Sequence, residues 1–238
     1  MHANSGISVK TKCACASDDP RFAHPIRFPP VIDCTVFAGT MPVMLESITN
    51  IDLSILHAIR QSVGSPALDA LMPIVTSFGN MAFVWLLAAV ALIVTKRYRP
   101  YGIAVVVAVC ITALVGEVFI KNIVERARPF LVDPSLLLGL IPPPSSFSFP
   151  SGHTGSSFAA ATVLCLIPMR HAWLKAVPLI GASLVAFSRL YLCVHFPSDV
   201  CGGIALGVAC GAAAVFLMKK TLQKYGRQPD GRNEGEAA

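Results

Sequence analysis

Between Ala70 and Thr95 the chain carries no charged residue. That run exceeds the ~20 apolar residues a helix needs to cross the hydrocarbon core of a bilayer. Its Gly79 to Thr95 half is the first predicted membrane span. Pro100 to Ile120, with the single acid Glu117, predicts a second. Thr154 to Met169 predicts a third, Trp173 to Leu192 a fourth with Lys175 and Arg189 near its ends, and the uncharged Val200 to Met218 a fifth. Barrel strands would be segments of about ten residues with alternating polarity, and lipid admits only helices or closed barrels. The pattern therefore predicts an all-α integral membrane bundle of about five transmembrane helices. Ahead of it, Leu45 to Val63 places Ile48, Ile51, Ile55 and Ile59 at three- and four-residue spacing, the signature of an amphipathic helix. Ser65 and Pro66 then supply an N-cap and a first-turn proline for another. One or two such helices are expected along the outer surface.

Composition agrees, with 54% hydrophobic residues, 13% charged and a mean hydropathy of +0.65, against about a quarter charged in soluble domains. The 238 residues suit one membrane domain over 44–220, with a polar cytoplasmic tail at 221–238. Residues 1–43 are rich in Pro and Cys, lack periodicity and lack the basic-then-apolar order of a secretory signal. They are expected to be poorly ordered, and Met41 or Met44 is the expected start. The net charge of +6 matters by location. Lys96, Arg97 and Arg99, then Arg170 and Lys175, then Lys219, Lys220, Lys224 and Arg227 fall on one side, which the positive-inside rule makes cytoplasmic. Lys121 to His153 and Leu192 to Asp199 then face outside. These clusters are short and lack interleaved aromatics, which excludes a nucleic-acid surface.

The outer side keeps its own cations, Lys121, Arg126, Arg128 and Arg189. Charges at membrane depth are costly and mark function, so these read as anion ligands. Lys121 and Arg128 are seven residues apart, two turns if the helix persists, and combine a point charge with a planar fork of donors. Snorkelling to headgroups is the plainer alternative for each taken alone. In PSGH, Ser151, Gly152 and His153 open the third span, where free N–H groups and the helix dipole attract anions. Gly152 permits close backbone approach, and Ser151 can donate its hydroxyl or serve as a plain N-cap. His153 has the ordinary pKa of a general acid near neutrality. In SRLYLCVHFPSD, Arg189 closes the fourth span, and Asp199 follows His195 by four residues, the relation of a nucleophile to its orienting carboxylate. No HExxH, carboxylate cluster or CxxC is present, and three cations can supply a metal's charge, so no metal or cofactor is expected. Glu117, four residues before Lys121, is expected to pair with it. Cys110, Cys165 and Cys210 read as apolar packers. Cys193 and Cys201 flank the catalytic turn, where a disulfide is one option, and His2, His24, His57 and His171 are assigned no chemistry.

Lys-x6-Arg-Pro at Lys121 to Pro129, Pro-Ser-Gly-His at Pro150 to His153, and Ser-Arg-x5-His-x3-Asp at Ser188 to Asp199 resemble the three signature motifs of the type 2 phosphatidic acid phosphatase family. The resemblance covers Met44 to Lys220. It implies that Lys121, Arg128 and Arg189 bind the phosphate with help from Ser151 and Gly152. It also implies that His195 forms a phosphohistidine, Asp199 orients it and His153 protonates the leaving group, without a cofactor. Cys193 departs from the family, which commonly has Gly there. The layout is similar to that of undecaprenyl-diphosphate phosphatases, which return the cell-wall lipid carrier to its monophosphate in the bacterial plasma membrane. Phosphatidate and phosphatidylglycerol-phosphate phosphatases are the alternatives within the family. The related vanadium haloperoxidases are soluble, which five spans exclude. From another class, a non-catalytic lipid-binding protein is opposed by the intact Arg189, His195 and Asp199, and a transporter by the lack of broken helices in inverted repeats. The expected partners are a lipid phosphate and the bilayer itself; oligomeric state leaves no trace in the sequence.

Overall fold

The computed structural model describes residues 41–168 and 171–225. The segment 1–40, and with it most of the expected N-terminal extension, lies outside the described residues, as do Arg170 and 226–238. All regular structure among the described residues is helical. The amphipathic prediction is realised as α1, Met41–Val63, and the Ser65–Pro66 signal starts α2, Pro66–Phe78, with the Ser65 side chain accepting from the Leu68 N–H. α3 spans Phe83–Val94 and α4 Arg99–Ala113; a π-helical segment, Leu114–Ile120, joins α4 to the short α5, Lys121–Val124. A one-turn α6, Pro129–Val132, a long loop, α7 at Gly152–Cys165, α8 at Ala176–Tyr191 and α9 at Pro197–Tyr225 complete the chain.

Among the described residues the expected spans differ in form. Three runs, Arg99–Val132, Ala172–Tyr191 and Pro197–Lys224, are long and apolar enough to cross a membrane, and a fourth appears if α2 and α3 count as one span bent by 44°. The first span is therefore not Gly79 to Thr95 alone. α3 has 12 residues, about 18 Å at ~1.5 Å per residue, and needs α2 to complete a crossing. The two meet at a 3₁₀ turn over Asn80–Ala82, where Ala82 takes φ 55°. The predicted third span is shortened to the 14 residues of α7, because Pro168 disfavours helix in the residue before it. α7 is sheathed by protein instead of lipid: Ala159, Ala160, Ala161 and Val163 are fully buried.

α7 and α9 run parallel at backbone contact. A Cβ on Gly203 would lie 2.7 Å from the Ser151 carbonyl oxygen, one on Gly207 2.3 Å from that of Gly155, and one on Gly211 2.6 Å from that of Ala159. Small residues at four-residue spacing are how membrane helices approach closely. α4 covers the pair with Ala104, Val105 and Ala108, and the Trp85 indole N–H donates to Ser157 Oγ at 2.9 Å, tying α3 to α7. This packing brings the N-termini of α7 and α9 together at one end, beside the turn that leaves α8.

α1 buries Asp52 and Leu56 and leaves Ile48, Ile51 and Ile55 exposed. The isoleucine stripe thus faces outward, as suits a helix at a bilayer surface, while Leu56 packs with Leu136, Cys193 and Phe196.

Candidate active site

Lys121 and Arg128 converge, though not by a continuous helix. Glu125 enters the left-handed region at φ 47° and ends α5, and Arg128 follows in extended conformation. Both cations nevertheless reach Ser146 Oγ, Lys121 Nζ at 3.2 Å and Arg128 Nη2 at 3.0 Å. Arg128 is further fixed by donating from Nε to the Ser146 carbonyl at 2.7 Å and from Nη1 to the Val194 carbonyl at 2.8 Å. Arg189, on the last turn of α8, donates from Nη1 to Thr76 Oγ1 at 2.6 Å, while its buried Nε has no partner among the described residues. All three cations are buried, and all lie within electrostatic reach of His153. Cations placed so close repel one another unless an anion joins them, which is what a phosphate site requires.

His195 sits in the α8–α9 turn with its imidazole fully enclosed. Its Nε2 is 3.3 Å from Arg128 Nη1. Arginine can only donate, so Nε2 is the unprotonated nitrogen and Nδ1 carries the proton. Nδ1 lies 3.6 Å from Asp199 Oδ2, close enough for charge attraction but beyond a hydrogen bond. Burial, reinforced by the charges of Arg128 and Arg189 against the pull of Asp199, pushes the imidazole down from 6.5 to about 3. His195 is thus neutral at physiological pH, with a lone pair directed at the cationic pocket.

Asp199 is itself held by three donors. Oδ2 accepts the Ser148 hydroxyl at 2.5 Å and the Phe196 N–H at 2.9 Å, and Oδ1 accepts from Arg126 at 2.6 Å. This corrects the reading of Arg126 as an anion ligand, because its guanidinium is committed to carboxylates. Ser148 and Asp52 escaped sequence reasoning. The only trace of Asp52 was an acid one turn before Leu56 on an otherwise apolar face.

At the start of α7 the Ser151 N–H is engaged by the Asp199 carbonyl at 3.0 Å, and its hydroxyl pairs with Thr154 Oγ1 at 2.9 Å. The N–H groups of Gly152 and His153 lie outside the intrahelical ladder, as at any helix start, and remain the backbone donors for an anion. A Cβ on Gly152 would fall 2.0 Å from Glu117 Oε1, so glycine is what lets that carboxylate lie over the helix start. Glu117 pairs with Lys121 at 2.7 Å as expected. Glu117→Gln should lower stability by about 1 kcal/mol, the scale of a charge-assisted bond, and alter KM, as read by thermal unfolding and steady-state kinetics. No change in either would remove Glu117 from the cluster. His153 is held through Nε2 by Asn80 Oδ1 at 2.8 Å, a contact to the α2–α3 elbow that sequence spacing did not reveal.

Cys193 adopts φ 53°, a region glycine enters at no steric cost. Its buried side chain packs against Leu56 and Phe196 in place of that freedom. Burial pushes its thiol up to about 11, and both Cys193 and Cys201 are free thiols.

Gathered buried cations suit a phosphate, a neutral imidazole lies beside them, and both stand where apolar helices end. Fold and site together define a phosphatase carried in membrane helices. Residues 98–223 match the PAP2 superfamily, and the chain belongs to that family of phosphate-ester hydrolases. It is 36% identical over 141 residues to an undecaprenyl-diphosphatase of Sulfolobus acidocaldarius, covering 59% of this chain and 66% of that protein. It is 32% identical over 172 residues to a decaprenylphosphoryl-5-phosphoribose phosphatase of Mycobacterium tuberculosis, covering 71% and 92%. The crystal structure of a transmembrane PAP2-type phosphatidylglycerolphosphate phosphatase from Bacillus subtilis superposes with a TM-score of 0.61 at 25% identity, covering 77% of this chain and 90% of that one.

Proposed function

We propose that the protein removes a phosphate from a polyprenyl-linked lipid, with undecaprenyl diphosphate as substrate and undecaprenyl phosphate as product. The observation that carries the chemistry is the 3.3 Å approach of His195 Nε2 to Arg128, which sets a nucleophile against a phosphate ligand. Two relatives with polyprenyl names support the substrate class. Lys121, Arg128, Arg189, the Ser151 hydroxyl and the Gly152 and His153 N–H groups hold the terminal phosphate. The Nε2 lone pair attacks phosphorus, the bond to the bridging oxygen breaks, and that oxygen takes a proton from His153. Burial and the three cations push His153 down to about 3, and the negative charge of the bound diphosphate must raise it again for it to carry that proton. Asp199 offsets the charge that appears on the imidazole. Water then attacks the phosphohistidine and gives a proton to His153; the P–N bond breaks, its electron pair returns to Nε2, and inorganic phosphate leaves. Phosphate release by the purified protein in detergent, from polyprenyl diphosphate, phosphatidate and phosphatidylglycerol phosphate in parallel, tests both the chemistry and the substrate. Preference for a diacyl lipid would overturn the polyprenyl assignment.

The general acid has its own test. His153→Ala should slow turnover most for substrates with basic leaving oxygens and least for a diphosphate, whose leaving phosphate needs little protonation. Equal losses across a leaving-group series would contradict the role.

The site is proposed to open at the outer face of a bacterial plasma membrane. Lys96 and Arg97 precede α4 and Arg99 begins it, and Lys219, Lys220 and Lys224 close α9, at the helix ends opposite the site. The domain proposed for this activity is 44–220, with a cytoplasmic tail after it. In a cysteine-free background, a cysteine at the exposed Pro143 should react with an impermeant thiol reagent in whole cells, and one at Tyr98 should not. The reverse pattern would place the site at the inner leaflet.

A further inference from the structure

Arg126 stands two residues before Arg128, yet its guanidinium joins a different set of groups. Nη1 donates to Asp199 Oδ1 and to Ser198 Oγ, both at 2.6 Å, and Nη2 donates to Asp52 Oδ2 at 2.8 Å and Thr49 Oγ1 at 3.4 Å. The guanidinium carbon lies 4.0 Å from the centre of the Phe196 ring. The side chains of Arg126, Asp52 and Asp199 are 9%, 5% and 0% exposed, so their attractions are little screened by salt. Asp52 also braces the start of α9, accepting the Ser198 N–H at 3.1 Å through Oδ1 and the Ser198 hydroxyl through Oδ2.

We propose that Arg126 is a positioning residue of the reaction, holding Asp199 turned toward His195 Nδ1, and that Asp52 of α1 in turn locks Arg126. Asp52 lies outside the stretch 98–223 that matches the family, so α1 is part of the working site and not merely a surface helix. The role rests on the phosphohistidine reading above. Of the three donors on Asp199, Arg126 alone is charged, and charge-assisted bonds are the shorter and stronger kind. A rotation of the carboxylate about its last torsion would carry Oδ2 from the imidazole, and the bond at Oδ1 opposes that rotation. One buried cation between two buried acids leaves a net negative charge, which is balanced when attack makes the imidazole cationic. A lone buried Arg126–Asp199 pair would lack that reserve, and a buried Arg126 without partners would be strongly destabilising.

The test uses the full chain in detergent, polyprenyl diphosphate as substrate and inorganic phosphate as the probe of the anion pocket. Wild type and His195→Asn serve as controls. Arg126→Met should lower kcat on the order of 100-fold, less than the ~10⁴-fold felt when an orienting carboxylate is itself replaced, with KM and phosphate inhibition within about threefold of wild type. Arg126→Lys should recover part of the loss. Asp52→Asn should lower kcat about tenfold and add little to Arg126→Met in the double variant, since both act through one carboxylate. If Arg126→Met does not fold, Arg126→Lys and Asp52→Asn are read by the same split between kcat and phosphate binding. Variants that match wild type overturn the positioning role alone. Parallel loss of kcat and phosphate binding makes Arg126 a phosphate ligand or a structural residue and also overturns it. A folded wild type that releases no phosphate overturns the proposed function, and this role with it.

Discussion

Replacing His195 by asparagine is expected to abolish phosphate release, by about 10⁴-fold or more, the scale on which loss of a covalent nucleophile is felt. Asparagine is preferred to alanine because the imidazole is 2% exposed. An alanine would open a cavity beside Arg128 and confuse lost chemistry with lost packing. Labelled phosphate trapped on the wild-type protein should be alkali-stable and acid-labile, and absent from His195→Asn; label that persists would move the nucleophile elsewhere. A second signature is thermodynamic. His195 is pushed to about 3 in the fold and returns to ~6.5 when unfolded, so the unfolded chain binds the extra proton between those values. Stability from this residue is complete above pH ~6.5 and declines as pH falls toward 3. The acid decline in unfolding temperature should be shallower in His195→Asn than in wild type, and equal declines would contradict a neutral buried imidazole.

The largest stability loss is expected from Gly207→Val. The added Cβ would lie 2.3 Å from the Gly155 carbonyl oxygen and 2.9 Å from the Ala159 N. Both are backbone atoms, so no rotamer change relieves the overlap. α7 and α9 must separate, at a cost of about 3 kcal/mol, the upper range for overpacking. The loss should extend to activity. Separation strains the Ser151 N–H to Asp199 carbonyl bond, which holds the start of α7, proposed to bind the phosphate, against the helix that carries Asp199. Gly116→Ala is the control: its Cβ would meet the tip of Leu206 at 3.2 Å and Pro150 Cγ at an ordinary 3.6 Å, and should cost under about 1 kcal/mol. Thermal unfolding in detergent and phosphate release read both variants. A Gly207→Val protein as stable and active as wild type would show that the helices are not in backbone contact.

Much of this protein was legible in its sequence because its determinants are local. Uncharged runs announced membrane helices, Ser65 and Pro66 announced the start of α2, and Glu117 found Lys121 through the one-turn spacing of any helix. His195 and Asp199 were readable as a pair for the same reason, since four residues link their positions whatever the rest of the chain does. The family motifs are short strings with fixed internal spacing, so they too survive without a fold. What sequence missed is set by contacts between distant segments. α7 ends at Cys165 ahead of Pro168, and its alanine face is buried by neighbouring helices instead of lipid, which no local pattern announces. Lys121 and Arg128 meet over Ser146 through a loop, where helical periodicity had suggested a rigid rod that Glu125 in fact ends. Arg126 looked like a fourth anion ligand by its company in the chain. Only the fold brings Asp52 to it across 74 residues, and both terminal nitrogens of its guanidinium are then taken up by carboxylates and hydroxyls. Spacing along the chain determines which groups can share a helix face; desolvation and the partners supplied by remote helices decide what each charge then does.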